Sequence, residues 1–323
     1  MPRLVPPDLV EPVVRGLVGA VDVDGGPTEV QLAVLRAVTT HLWGRPDLDP
    51  GAVEPIGPGA TAAAVTDPGA RRRFHTVMFT IEQCRHPLTA TQVGRVEEYA
   101  EALGVDGPDR VMFRDLVEQG AARAAADFSR FFSAMIPARA EPDLRGMTER
   151  PPEPDPALVA RLEALHELPE GSLGWTFVEF YRRAGVAMPG TDGSALDPLY
   201  VAHDMIHVIT GIAPTGEGEI ALGGFQVAMD DNPTNSFAFL SPLIVHEAGF
   251  SGVDVITKAT GTLSRPYAAE LLGREMARGA ATTGDFAFVD HFDLAPLPLA
   301  EVRARFGVRR PDDPDDGHHL FWD

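Results

Sequence analysis

Apolar residues return at helical spacing along most of this chain. Val93, Val96, Ala100 and Leu103 recur at intervals of three and four. They follow Thr89 and Gln92, whose spacing is that of a capping box. Leu158, Leu162 and Leu165 repeat the pattern behind Pro156, a residue suited to a first helical turn. No sustained alternation of apolar and polar positions is joined by an Asn-Gly or Asp-Gly turn, so strands are not expected. The pattern predicts a mainly α protein: a helical bundle with a metal site between two consecutive helices, plus an N-terminal helical domain.

Breaks in the pattern divide the chain. Residues 137–156 hold six prolines among acidic residues and read as a linker or an extended surface segment. Pro46 to Gly69, rich in Pro, Gly and Ala, reads as a connection between two N-terminal helices. Residues 311–323 read as a solvated, mobile acidic tail. The expected division is an N-terminal helical domain over 1–136, a linker over 137–156, a metal domain over 157–310 and the tail.

The strongest chemical signal is His203-Asp204-Met205-Ile206-His207, followed after eleven residues by Glu219. Residues four apart on a helix are offset by about 40° and rise by roughly 6 Å, so both imidazoles point the same way. Asp197-Pro198 reads as N-cap and first helical residue of that helix, and Gly211 as its stop. Thr215 then caps the next helix and brings Glu219 into its first turn, back toward the histidines. Two His with one or two carboxylates, and a coordination position left open, build a catalytic zinc or iron(II) centre.

An isolated HxxxH usually marks two unrelated histidines, and it is the neighbouring Asp, the break and the phased Glu that give the motif weight. Zinc proteases use HExxH, with Glu as general base; here Asp204 is one methylene shorter. His246-Glu247 has no His four residues on and reads as an ordinary helix pair. His318 and His319 read as solvent-exposed, and His291 as a loop or core histidine.

Charge narrows the partners. Residues 1–150 carry 16 basic against 21 acidic residues, a net of −5, and residues 151–323 carry 11 against 26, a net of −15. Such a surface repels phosphate backbones, so nucleic acid is not expected as a partner. Cys84 is the single cysteine, which excludes an internal disulfide and fits a reduced compartment. No run reaches the ~18 apolar residues of a spanning helix, and Met1 to Asp24 lacks a signal-peptide core. The expectation is a soluble, cytoplasmic protein, with room for a homodimer and for peripheral membrane contact.

His203, Asp204, His207 and Glu219 together resemble the signature HDxxH-x11-E of the fourth coenzyme-Q biosynthesis protein family. The flanks Leu168 to Gly174, Gly218 to Ala221 and Pro298 to Val308 resemble that family as well, so the likeness spans about residues 145–310. Residues 28–135, Leu88 to Val105 above all, loosely resemble a TerB-type helical domain. Two stretches depart from the family pattern: Leu199-Tyr200-Val201-Ala202 ahead of the motif and Gly223-Gly224-Phe225-Gln226 after it. They leave open a small ligand other than a ubiquinone precursor.

The resemblance implies one divalent metal, zinc or iron(II), on His203, Asp204, His207 and Glu219. Asp204 would be either the fourth ligand or the catalytic residue that orients a bound water. It also implies a prenylated hydroxybenzoate or quinone-like lipid as partner, bound or oxidatively decarboxylated at C1. A non-catalytic lipid-binding scaffold and a zinc-dependent hydrolase are the alternatives.

Overall fold

A computed structural model of the chain describes residues 5–147, 154–192, 199–250 and 259–322. Among these the secondary structure is helical, with two isolated β-bridges, Ser172–Pro298 and Ile212–His319, and no strand. In chain order the α-helices are α1 (Val10–Val21), α2 (Glu29–Ala37), α3 (Pro58–Ala64), α4 (Pro68–Gln83), α5 (Ala90–Leu103), α6 (Pro108–Glu118) and α7 (Ala121–Arg139). They continue with α8 (Pro156–Glu163), α9 (Leu173–Ala184), α10 (Leu199–Thr210), α11 (Gly216–Met229), α12 (Pro233–Pro242), α13 (Ala268–Ala280), α14 (His291–Leu294) and α15 (Leu299–Phe306). None of the described helices is long and apolar enough to cross a membrane.

The chain falls into two compact units, each made of two sequence segments. The first comprises Met1–Phe131 and Gly223–Ala280; the second comprises Phe132–Leu222 and Ala281–Asp323.

In the first unit α1 buries Val13, Val14, Leu17 and Val21 completely, packing against α3, α4 and α5, and α13 packs against α2. Several of its buried polar side chains find backbone partners. Thr28 and Gln31 make a reciprocal capping box at the start of α2. Thr89 accepts from Gln92 N at 3.1 Å, but the Gln92 amide does not return to the cap. It is fully buried and donates instead to Ala20 O at 2.8 Å, because an interior carbonyl without a partner costs more than a surface cap is worth. Arg85, 8% exposed, gives its guanidinium to the carbonyls of Val21, Val23 and Gly26. The stretch Pro46 to Gly69, expected to be irregular, contains α3, entered through Pro58.

The second unit carries α8, α9, α10, α14 and α15, and α10 packs on both α9 and α15. Two expectations change here. Pro137, read as the opening of a linker, lies in the last turn of α7, where a missing N–H disrupts little helix beyond it. Ala140, Glu141 and Leu144 of the same stretch are buried, which its high proline content conceals. The tail is solvent-exposed at Asp312, Asp313 and Asp315, but His318 to Leu320 pair with residues 211–213 through Ala213 N–H to His318 O (2.9 Å) and Leu320 N–H to Gly211 O (2.7 Å). His319 is accordingly buried rather than exposed, with Nδ1 2.9 Å from Asp316 Oδ1.

Candidate metal centre

Six apolar residues of α10 are buried: Val201, Ala202, Met205, Ile206, Val208 and Ile209. A helix buried nearly all round leaves its few polar residues little surface on which to meet partners; His203, Asp204 and His207 are among them, with Thr210 one turn on. The expected start at Asp197-Pro198 lies outside the described residues. The end is where the sequence puts it. Gly211 adopts a left-handed conformation (φ 72°), and a Cβ there would stand 2.0 Å from Trp322 Nε1.

The return of Glu219 rests on the turn that follows. Thr215 Oγ1 accepts from Gly218 N–H at 3.1 Å, and Glu219 N–H donates to Thr215 O at 2.7 Å. Gly218 makes this possible: a Cβ would sit 1.9 Å from the Ala213 carbonyl oxygen, so any side chain would force the turn open. Glu219 thus falls in the first turn of α11, the end of a helix that favours negative charge.

The side chains converge. His203 Nε2 lies 3.1 Å from Glu219 Oε2, His207 Nε2 lies 3.1 Å from Glu219 Oε1, and the two Nε2 atoms are 3.2 Å apart. Atoms that each stand about 2.1 Å from a common ion are separated by about 3.0 Å at a right angle and about 3.4 Å at the tetrahedral angle. The observed separations fall within that range. Asp204 joins the two histidines in a group whose ligand atoms all lie within 4.8 Å of one another.

The orientation of His207 adds an independent observation. Its Nδ1 lies 2.9 Å from the carbonyl oxygen of Ile212, an acceptor, so Nδ1 carries the proton. In its neutral form the ring then presents a lone pair at Nε2, the form a metal ligand requires. Phe180 of α9 stacks on the His207 ring (5.6 Å between centroids, 24° between planes) and holds it in place. Tyr200 meets His203 edge to face at 5.6 Å.

Burial divides the site. The His207 side chain is 0% exposed, whereas His203 and Glu219 are 20% and 23% exposed, so approach from solvent is on their side. Asp204 is buried and accepts the hydroxyl hydrogen bond of Tyr181. Burial raises the Asp204 carboxyl above its ordinary range against the pull of both histidines. Burial would also raise Glu219, but the His207 and His203 imidazoles hold it well below the ordinary value. For His207 burial works downward, and the Glu219 carboxylate more than offsets it, leaving the imidazole raised. Burial, then the Asp204 charge, pushes the Tyr181 hydroxyl far up, so it remains a donor.

All four sequence-derived residues are therefore neighbours. Tyr181 is the residue that sequence reasoning missed: it lies on α9 beside the buried Phe177 and Phe180, and only its hydroxyl, a group that seeks a partner when buried, distinguishes it from them. His291 is a core histidine, paired at Nδ1 with Glu141 at 2.6 Å. His246-Glu247 is not an ordinary helix pair, because Glu247 is fully buried and pairs with His86 at 2.8 Å.

No family model matches the chain. It is 33% identical over 76 residues to the mitochondrial ubiquinone biosynthesis protein coq4 of Talaromyces marneffei, a match covering 20% of this chain and 26% of the relative. The chain thus spans about a quarter of the length of the curated relative it matches. A solved structure from Nostoc punctiforme, provisionally named a ubiquinone biosynthesis protein, is 18% identical and covers 75% of this chain and 99% of its own. Its TM-score is 0.32, too low to argue a shared fold. The chain is distantly similar to a ubiquinone biosynthesis protein over a fifth of its length.

Proposed function

We propose that His203, His207 and Glu219 hold one divalent cation, zinc or iron(II), in a protein that acts on or binds a prenylated hydroxybenzoate or related quinone-like lipid. Asp204 serves either as fourth ligand or as the carboxylate that orients a bound water. The observation that carries this reading is the meeting of two imidazole Nε2 atoms and both Glu219 oxygens within 3.1–3.2 Å, with the His207 tautomer set by Ile212. The distant likeness to a ubiquinone biosynthesis protein supports the substrate class.

A bound cation would supply Lewis acidity and a position for a phenolate or carboxylate oxygen. The chain's own groups do the rest. The Glu219 charge, on the partly exposed side, favours the cation over a second anion. The raised Asp204 carboxyl can take up or release a proton, and the Tyr181 hydroxyl fixes its orientation. The reaction class is oxidative C1 decarboxylation. A ring carboxylic acid, dioxygen, two electrons and two protons give a ring hydroxyl, carbon dioxide and water, with dioxygen as oxidant and an external two-electron donor.

The Tyr181 bond to Asp204 favours one second reading, a lipid-binding scaffold in which that carboxylate is structural. Metal analysis of purified protein tests the first claim: a wild type that holds and takes up neither zinc nor iron overturns it. Turnover of a prenylated hydroxybenzoate separates the two readings. Asp204→Asn abolishes activity in an enzyme and leaves lipid binding intact in a scaffold.

A further inference from the structure

We infer that the segment His318 to Trp322, together with Arg303, is a clamp that positions His207 for the cation; this rests on the metal reading above. A helix leaves its last four carbonyls without intrahelical partners. At the end of α10 the remaining acceptors are taken one by one. Val208 O and Ile209 O accept from Arg303 Nη2 (3.1 Å) and Nε (2.9 Å). Thr210 O accepts from Trp322 Nε1 at 3.1 Å, and Gly211 O accepts from Leu320 N–H at 2.7 Å.

The clamp is locked to itself. Arg303 Nη1 donates to Phe321 O at 2.6 Å, and the guanidinium lies 3.5 Å over the Trp322 ring. A cation at the C-terminal end of a helix is also where the helix dipole favours one. Arg183 of α9 covers the neighbouring Phe321 ring at 4.4 Å.

The connection to the site runs through a single residue. Ile212 is bridged to His319 and flanked by the hydrogen bonds of Gly211 O and Ala213 N–H to this segment. The Ile212 carbonyl is also the acceptor that holds the proton on His207 Nδ1. Fixing residues 211–213 therefore fixes the carbonyl that sets the tautomer and aim of the His207 ring. Outer partners of metal ligands act in this way. Trp322 and Arg303 are positioning residues.

Trp322→Ala, with Trp322→Phe as the milder variant that keeps the ring and removes the N–H, tests this. Zinc affinity is read by competition with a chromophoric chelator, and the His207 tautomer by ring nitrogen chemical shifts in zinc-free protein. The clamp predicts about a tenfold weaker zinc affinity for Trp322→Ala, a smaller loss for Trp322→Phe, and a zinc-free His207 that no longer holds its proton on Nδ1 alone. Leu162→Ala, a cavity variant in α8, is the control for general destabilisation and should leave both readouts near wild type. Unchanged affinity and tautomer in both Trp322 variants, or an equal loss in Leu162→Ala, overturns the inference. If the wild type binds no zinc, the metal reading fails by itself, and the ring shifts still decide whether the clamp sets the tautomer.

Discussion

The molecule buries His–Glu contacts in two different ways. In the first unit Glu247 is fully buried, with Oε1 2.8 Å from His86 Nε2 and Oε2 accepting from Leu263 N–H at 2.7 Å. In the second, Glu141 does the same with His291: one oxygen takes the ring Nδ1 at 2.6 Å, the other the His291 backbone N–H at 3.1 Å. Both are closed pairs, in which one imidazole and one amide satisfy one carboxylate. Glu219 differs. Both its oxygens face imidazole nitrogens, those nitrogens also face each other, and a second carboxylate lies within the group. This open arrangement is the one on which the proposed cation site rests, whereas each closed pair is satisfied within itself.

The largest effect expected from this contrast is on metal uptake. A full set of ligands is worth roughly 10–16 kcal/mol in small structural zinc sites, so one ligand among four carries a share of about 2.5–4 kcal/mol. Glu219→Gln should therefore weaken zinc binding by about a hundredfold or more, while the thermal stability of the metal-free protein changes little. Glu247→Gln should leave metal stoichiometry at the wild-type value. Equal metal content in both variants would erase the distinction between open and closed.

The converse effect is on stability. Removing a buried carboxylate that accepts an imidazole and an amide hydrogen bond costs about 1.5–3 kcal/mol, so Glu247→Ala and Glu141→Ala should each lower unfolding free energy by an amount in that range. His86 keeps 32% of its side chain in water, which softens the loss for Glu247, while His291 is 0% exposed. Denaturant titrations should rank Glu141→Ala as the more damaging. A Glu219→Ala variant that proved as destabilising as these two would mean that Glu219 is a structural pair after all.

How far the sequence revealed these arrangements depended on reach along the chain. The open site was legible because its parts lie within 17 residues: the i, i+4 histidines, the Gly211 stop, the Thr215 cap and the phase of Glu219 all follow from local geometry. The closed pairs were not. His86 and Glu247 are separated by 161 residues, and His291 and Glu141 by 150, so neither partner carries a local signal of the other. The same limit hid Tyr181, whose bond to Asp204 needs α9 packed on α10, and Trp322, whose indole closes the end of α10. Composition misled in two places. The prolines around Pro137 concealed a helix end and a buried Glu141, and the acidic residues near Asp312 concealed the docked stretch behind them.

A middle-sized effect sharpens the role of Asp204. Tyr181→Phe removes a donor from a buried carboxylate and should cost about 1–3 kcal/mol of stability. If Asp204 takes part in holding the cation, zinc affinity should also fall, by up to about tenfold. If the carboxylate is only structural, stability should fall and affinity should stay. Melting temperatures with and without zinc separate the cases: the gap between Tyr181→Phe and wild type should widen on adding zinc, by up to about 1.4 kcal/mol for a tenfold weaker Kd, only in the first.

The smallest effect concerns two tyrosines and their titration. Tyr99, in the first unit, is fully buried and donates to Ile56 O at 2.5 Å, a neutral acceptor; Tyr181 donates to a carboxylate. Burial raises the Tyr99 hydroxyl from its ordinary 10.0 to about 12. A group whose pKa is higher in the folded state stabilises that state fully below its unfolded value, and the contribution is lost as pH rises toward the folded one. Wild-type stability should therefore decline between about pH 10 and pH 12, and part of that decline belongs to Tyr99. Tyr99→Phe, which cannot ionise, should be less stable than wild type at pH 8 by about 1 kcal/mol for the lost hydrogen bond. It should then fall less steeply with pH, so that the two curves approach one another above pH 10. Urea titrations at pH 8, 10 and 11 measure the slopes. Parallel curves would show that Tyr99 keeps its ordinary acidity and that the first unit does not seal its interior as the closed pairs suggest.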